Sequence, residues 1–171
     1  MKKFNFIIVG VAAILLATGC KNKAPQTREE QVAEFRSMLT AEDTVQMLQL
    51  CDNAMELLKS KKIDEVVSTL YEYNDSTKEV KPLSKELAKR YTNKFKMFPV
   101  LRYTRKYYSF QLEGCNDVKY DVVFATAEQA GTKDDPVTGF MFNPVKIDGE
   151  WKLCLKTLSD QIDLQKSYTS E

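Results

Sequence analysis

Histidine is absent from the 171 residues. That removes Ser-His-Asp and Cys-His catalysis and every imidazole-ligated metal site. Glycine is scarce: beyond the first twenty residues only Gly114, Gly131, Gly139 and Gly149 occur, and they form no phosphate-cradling loop. Neither sign of charge prevails, with 25 Lys and Arg against 24 Asp and Glu, so bulk charge gives no reason to expect nucleic acid. The stretch from Phe4 to Gly19 is uncharged, but its 16 residues fall short of the roughly 20 that a bilayer helix needs. What is present is a globular composition, 43% hydrophobic and 29% charged. It excludes a disordered tail, a collagen-like rod and a polytopic membrane protein.

The amino terminus carries the most specific pattern. Lys2 and Lys3 precede the uncharged stretch, which closes on Leu16-Ala17-Thr18-Gly19-Cys20. Positive start, short apolar run and small residues before a cysteine make a secretory leader. The last five residues resemble the lipobox of bacterial lipoproteins, with Ala17 where leucine is more usual. The resemblance implies a signal peptide over 1–19, lipid attachment at Cys20 and a tether over 20–27. Residues 28–171 then form one domain, with its core at about 40–157. Two or more acyl chains hold a protein stably where one does not. The expected location is therefore the envelope of a Gram-negative bacterium, at the outer membrane and facing the periplasm.

Helical spacing dominates the first half. Arg28 to Leu39 sets Val32, Phe35, Met38 and Leu39 on one side. Thr40 and Asp43 read as a capping box for a longer helix with Met47, Leu48, Cys51, Ala54, Met55 and Leu58 in register. A short helix follows from about Asp64 through Tyr71, then a polar connection over Tyr73 to Lys78. A fourth helix from about Pro82 carries Leu83, Leu87, Tyr91, Phe95 and Phe98 to the stop at Pro99. After Val100 the period becomes two. Tyr108, Phe110 and Leu112 alternate with polar residues, as do Val118, Tyr120, Val122 and Phe124. Asp148-Gly149 is a type I′ hairpin signal that pairs Lys146 with Trp151, Asn143 with Cys154 and Phe142 with Leu155. The expected fold class is α+β, N-terminal helices packed on a curved antiparallel meander of about four strands.

Two segments carry a further resemblance. Lys59-Ser60-Lys61-Lys62-Ile63-Asp64 ends the long helix, and Val145-Lys146-Ile147-Asp148-Gly149-Glu150-Trp151-Lys152-Leu153 closes the strands. With the element order, over about 40–157, they resemble the nuclear transport factor two-like (cystatin-like) superfamily, in particular its domains found in secreted bacterial lipoproteins. The resemblance implies a conical sheet around the long helix, used by some members for ligands or catalysis and by others for protein contact. Fold alone does not choose among these.

Candidate sites follow from chemistry and position. Tyr108, Phe110, Tyr120, Phe124, Phe142, Trp151 and Leu155 either line a ligand cavity or fill a core, and aromatic residues on a buried strand face more often pack. Residues 78–106 hold ten basic and two acidic side chains. Lys81, Lys85, Lys89, Arg90, Lys94, Lys96, Arg102, Arg105 and Lys106 are either a patch for an anionic bilayer or acidic partner, or a solvated face. Cys51 belongs to an apolar helix face, and Cys115 with Cys154 is the pair to test for a disulfide. Asp121 with Tyr103, Tyr107 and Tyr120 is the one set that could transfer protons, but alternation turns Asp121 away from Tyr120. No cofactor and no metal are expected.

The expectation is a lipid-anchored, non-catalytic binding or interaction module. It would meet the membrane through its lipid and either an envelope protein or a small hydrophobic ligand, with a homodimer as an option. Two alternatives stand beside it: an enzyme of the same fold acting on a small hydrophobic ligand, and a structural subunit of an envelope complex. The subunit alternative predicts an exposed apolar face around Val123, Val145 and Ile147.

Overall fold

A computed structural model describes residues 26–74 and 76–155. The leader, Cys20 and the C-terminal residues from 156 lie outside the described residues. The chain runs α1 (Arg28–Met38), α2 (Ala41–Lys59), α3 (Ile63–Thr69), β1 (Leu70–Asn74), β2 (Glu79–Pro82) and α4 (Lys85–Met97). It continues through β3 (Arg102–Phe110), β4 (Asn116–Val123), α5 (Ala127–Ala130), β5 (Val137–Ile147) and β6 (Glu150–Leu155). This is an α+β architecture on a single six-stranded sheet ordered β2-β1-β6-β5-β4-β3.

Six strands replace the expected four. Leu70 to Pro82 was expected to be a helix end, a polar connection and a helix start, yet it forms an antiparallel hairpin, with Tyr71 opposite Pro82 and Tyr73 opposite Val80. β1 lies parallel to β6, with Leu70 opposite Leu153 and Tyr71 opposite Cys154. The reason is tertiary. Leu70 is buried on the main core side, while Tyr73 is buried on the other side of the sheet with Val145 and Cys154. A run that buries both faces has no single amphipathic period to read. α4 accordingly starts after the Ser84 cap, not at Pro82, with the Ser84 hydroxyl accepting from the Leu87 amide.

α2 is the main lid on the sheet. Met47, Cys51, Ala54, Met55 and Leu58 are its buried stripe, packed with Val118, Tyr120, Val122, Phe140, Phe142, Leu153 and Leu155. Each large apolar side chain so buried contributes roughly 1.5–3 kcal/mol. The start of α2 is fixed in two ways. Thr40 and Asp43 form the expected capping box, and the same Asp43 carboxylate accepts from Lys146 Nζ at 2.7 Å and from Trp151 Nε1 at 3.1 Å. One acid thus ties the helix to the β5–β6 hairpin. That hairpin turns at Asp148 and Gly149, both at positive φ, and pairs Lys146 with Trp151 and Asn143 with Cys154.

α1 departs from its amphipathic expectation. It is capped by a Thr27–Glu30 box but buries no residue, and Met38 is 65% exposed. Its reach to the sheet is polar: Arg36 Nε donates to the Phe110 carbonyl. The turn after β3 is tied down by a buried amide pair. Asn143 donates to the Gly114 carbonyl at 2.7 Å and accepts from the Asn116 amide at 2.9 Å. Gly114 has φ +80°, and a Cβ there would fall 2.1 Å from the Tyr73 ring, so that turn admits only glycine.

Candidate functional site

The seven aromatic and aliphatic cavity candidates divide. Tyr120, Phe142 and Leu155 are buried, as is Phe110, while Phe124 and Trp151 are half-buried. Tyr120 meets Phe142 at 6.1 Å between ring centroids, and Phe124 meets Phe98 of α4 at 5.0 Å. These side chains support one another as packing. Tyr108 departs from the set at 51% exposure. The register shift between Arg105 and Tyr107 sets Tyr108 opposite the buried Val118, but β3 is the sheet edge, and there the ring lies over Phe110 at an open rim. A bulge re-aims the side chains that follow it.

At that rim the sheet and α2 assemble a polar network. Cys51 lies on the buried stripe, so the next residue, Asp52, turns toward β3 and β4, with Glu56 one helical turn on. The Asp52 carboxylate accepts the Tyr120 hydroxyl at 2.6 Å and Arg105 Nε at 3.3 Å on one oxygen, and Arg105 Nη2 on the other. Tyr103 donates to Glu56 at 2.6 Å and stacks edge-on against Tyr120. Burial and then the carboxylates raise the pKa of both tyrosines well above the usual phenol value. Burial would lower the Arg105 pKa, but its bonds to Asp52 and Tyr120 raise it overall. The tyrosines are therefore hydroxyl donors and the arginine a fixed cation.

Tyr103 and Tyr120 thus come together, as a proton-transfer set would need, but around Asp52 and not Asp121. Asp121 sits on the opposite face, paired with Lys106 at 3.2 Å. Tyr107 also lies outside the network, since its register partner is Lys119. Asp52, Glu56 and Arg105 carried no local signal. Asp52 is 53 residues from Arg105 and 68 from Tyr120, and only the register of β3 and β4 against α2 joins them.

The basic run also divides. Arg102 pairs with Asp135, Arg105 with Asp52 and Lys106 with Asp121. Lys81, Lys85, Lys89, Arg90, Lys94 and Lys96 make no ion pair among the described residues. Lys94 is half-buried, and the other five are exposed.

Cys115 and Cys154 do not bridge each other. β5 separates β4 from β6, and two strand spacings of about 4.8 Å exceed the roughly 7 Å limit for a disulfide. Cys51 and Cys154 are buried, and burial pushes the Cys154 thiol up to about 12. The exposed apolar face expected around Val145 is also corrected. Val145 is fully buried with Tyr73 and Cys154, and Ile147, packed against that cluster, is half-buried.

No family model matches the chain, and no curated protein matches it. Among solved structures it is similar to a Campylobacter jejuni protein named as an NTF2-like transpeptidase. The identity is 15% and the TM-score 0.37, over 69% of this chain and all of that one.

Proposed function

We propose that this chain is a lipid-anchored protein of a Gram-negative envelope whose α+β domain is a non-catalytic binding or interaction module. In this reading acylated Cys20 holds the chain to the outer membrane, residues 20–27 are its tether, and the domain takes the nuclear transport factor two-like cone. Confinement at a surface raises the effective concentration of the domain for partners there. The observation that carries the non-catalytic part is the filled interior: Tyr120, Phe140 and Phe142 are at most 2% exposed. Asp52 is consistent with this reading as the shared acceptor of Arg105 and Tyr120, a pairing that holds α2 to the sheet.

Two measurements test the two halves. Cys20→Ser should move the chain from the membrane to the soluble fraction, and retention by the membrane would overturn the anchor. Titration with benzene and indole, followed by NMR, should leave the ring resonances of Tyr120, Phe140 and Phe142 in place. Saturable shifts of those rings would favour an enzyme of the same fold with a small hydrophobic ligand.

A further inference from the structure

α1 is joined to the rest of the domain by very little. Val32 and Phe35 are half-buried but belong to neither core cluster, and packing on the main core begins at Leu39, just past the helix end. The side-chain hydrogen bonds of Gln26, Thr27, Gln31 and Ser37 stay within residues 26–38. Among the described residues only Arg36 crosses over, its Nε donating to the Phe110 carbonyl at 3.3 Å, and no ion pair ties α1 to the domain. A groove of about 550 Å3 has Arg28 and Gln31 of the first turn on one side and Leu112 and Glu113 of the β3–β4 turn on the other. The helix therefore stands off the sheet at its start and touches it near its end.

Nor has α1 much stability of its own. Its 11 residues are fewer than the roughly 12–15 below which an isolated helix is marginal in water even when rich in alanine. Glu30 and Glu34 set like charges four positions apart. Leu39 and Thr40 are both extended, so no continuous helix couples α1 to α2. Such an element opens locally at far less free energy than the whole domain needs to unfold. We propose that α1 is a releasable clasp on the tether. Docked, it holds the chain at the β3 rim through Arg36; released, it melts back to Leu39, and residues 28–38 lengthen the tether. The inference rests on the anchored reading above and adds a change of reach to it. At about 3.4 Å per extended residue, residues 20–27 reach at most about 27 Å, and residues 20–38 at most about 65 Å. The longer form lets the domain meet partners that the shorter one keeps out of range.

Hydrogen exchange read by mass spectrometry tests the clasp, on the full chain in phosphatidylcholine nanodiscs. Amides of residues 31–38 should exchange at least a hundredfold faster than those of residues 47–58 in α2. Arg36→Ala should speed the first set severalfold and leave the second within twofold. Glu34→Lys, which relieves the repulsion from Glu30, should slow the first set severalfold. Both positions are exposed, so neither substitution removes a core side chain. Reach is read by energy transfer from Trp151, the one tryptophan of the chain, to dansyl-labelled lipid headgroups. Transfer should fall in Arg36→Ala and rise in Glu34→Lys. Equal exchange in α1 and α2, or equal acceleration of both by Arg36→Ala, would make α1 part of the cooperative domain and overturn the clasp. Faster exchange in Arg36→Ala with unchanged transfer would overturn the change of reach. Failure of the anchor reads differently: transfer is then absent from the unsubstituted chain, whatever α1 does.

Discussion

The cations of β3 and those of α4 lie in one basic run, and the fold treats them in opposite ways. On β3, Arg102, Arg105 and Lys106 each meet a carboxylate, from Asp135, Asp52 and Asp121. On α4, Lys85, Lys89, Arg90, Lys94 and Lys96 follow one another along a helix whose one first-turn acid is Glu86. A strand in a sheet is bordered by other elements, so its charges can be balanced by residues far away in sequence. A helix face turned to solvent has only its own neighbours at three and four positions. Charge on β3 is therefore structural, and charge on α4 meets no carboxylate among the described residues.

The comparison can be broken or sharpened by substitution. The largest effect is expected for Phe140→Ala, which opens the core beneath Lys94 and should lower stability by about 3–5 kcal/mol, read by thermal or denaturant unfolding. Next comes Asp52→Ala. It leaves the Tyr120 hydroxyl and the Arg105 guanidinium without their acceptor, and a loss of about 2–3 kcal/mol is expected. A loss below about 0.5 kcal/mol would make the β3 pairing ornamental and dissolve the contrast. Smaller and opposite in sign are two charge reversals. Lys106→Glu should destabilise by about 0.5–1 kcal/mol, while Lys85→Glu should be neutral or slightly stabilising through relief of like charge. The same sign for both would refute the comparison.

Acidity and alkalinity should separate the regions as well. The Lys146 ammonium first, then Thr40, holds Asp43 well below the usual carboxylate range, and Arg102 does the same for Asp135. A depressed carboxylate contributes stability above its unfolded pKa. That stability is lost as pH falls below about 4, and Lys146→Met should flatten the acid limb of a stability–pH curve. Lys94 has the reverse sense. Its folded pKa is lowered, so charging it opposes folding, and stability should rise as pH climbs through that value toward 10.5. Lys94→Met should abolish the alkaline rise and leave the acid limb intact.

Local signals proved readable where local forces decide. Thr40 with Asp43 announced the start of α2, Asp148-Gly149 announced the hairpin and its register, and alternation in β4 assigned Val118, Tyr120 and Val122 to the core and Asp121 to the other face. The rest is decided at long range. Tyr71 and Tyr73 look like a helix end or a polar linker until Cys154 and Val145 are placed beside them. Tyr108 looks buried until its strand is known to be the open edge of the sheet. Asp52 and Glu56 lie one turn apart on α2, but no spacing joins them to Arg105, and the split of the basic run depends on acids from α2, β4 and the loop before β5.

The parallel pairing of Leu70 with Leu153 has a consequence for how the polypeptide is made. During synthesis the β1–β2 hairpin emerges long before the strand beside which it must lie, and a two-stranded ribbon by itself is only marginally stable in water. Contacts between residues 83 positions apart in sequence raise contact order and slow folding. The β1–β2 hairpin should therefore take its place in the sheet only after β6 has emerged, later than β3, β4 and β5, which pair with one another.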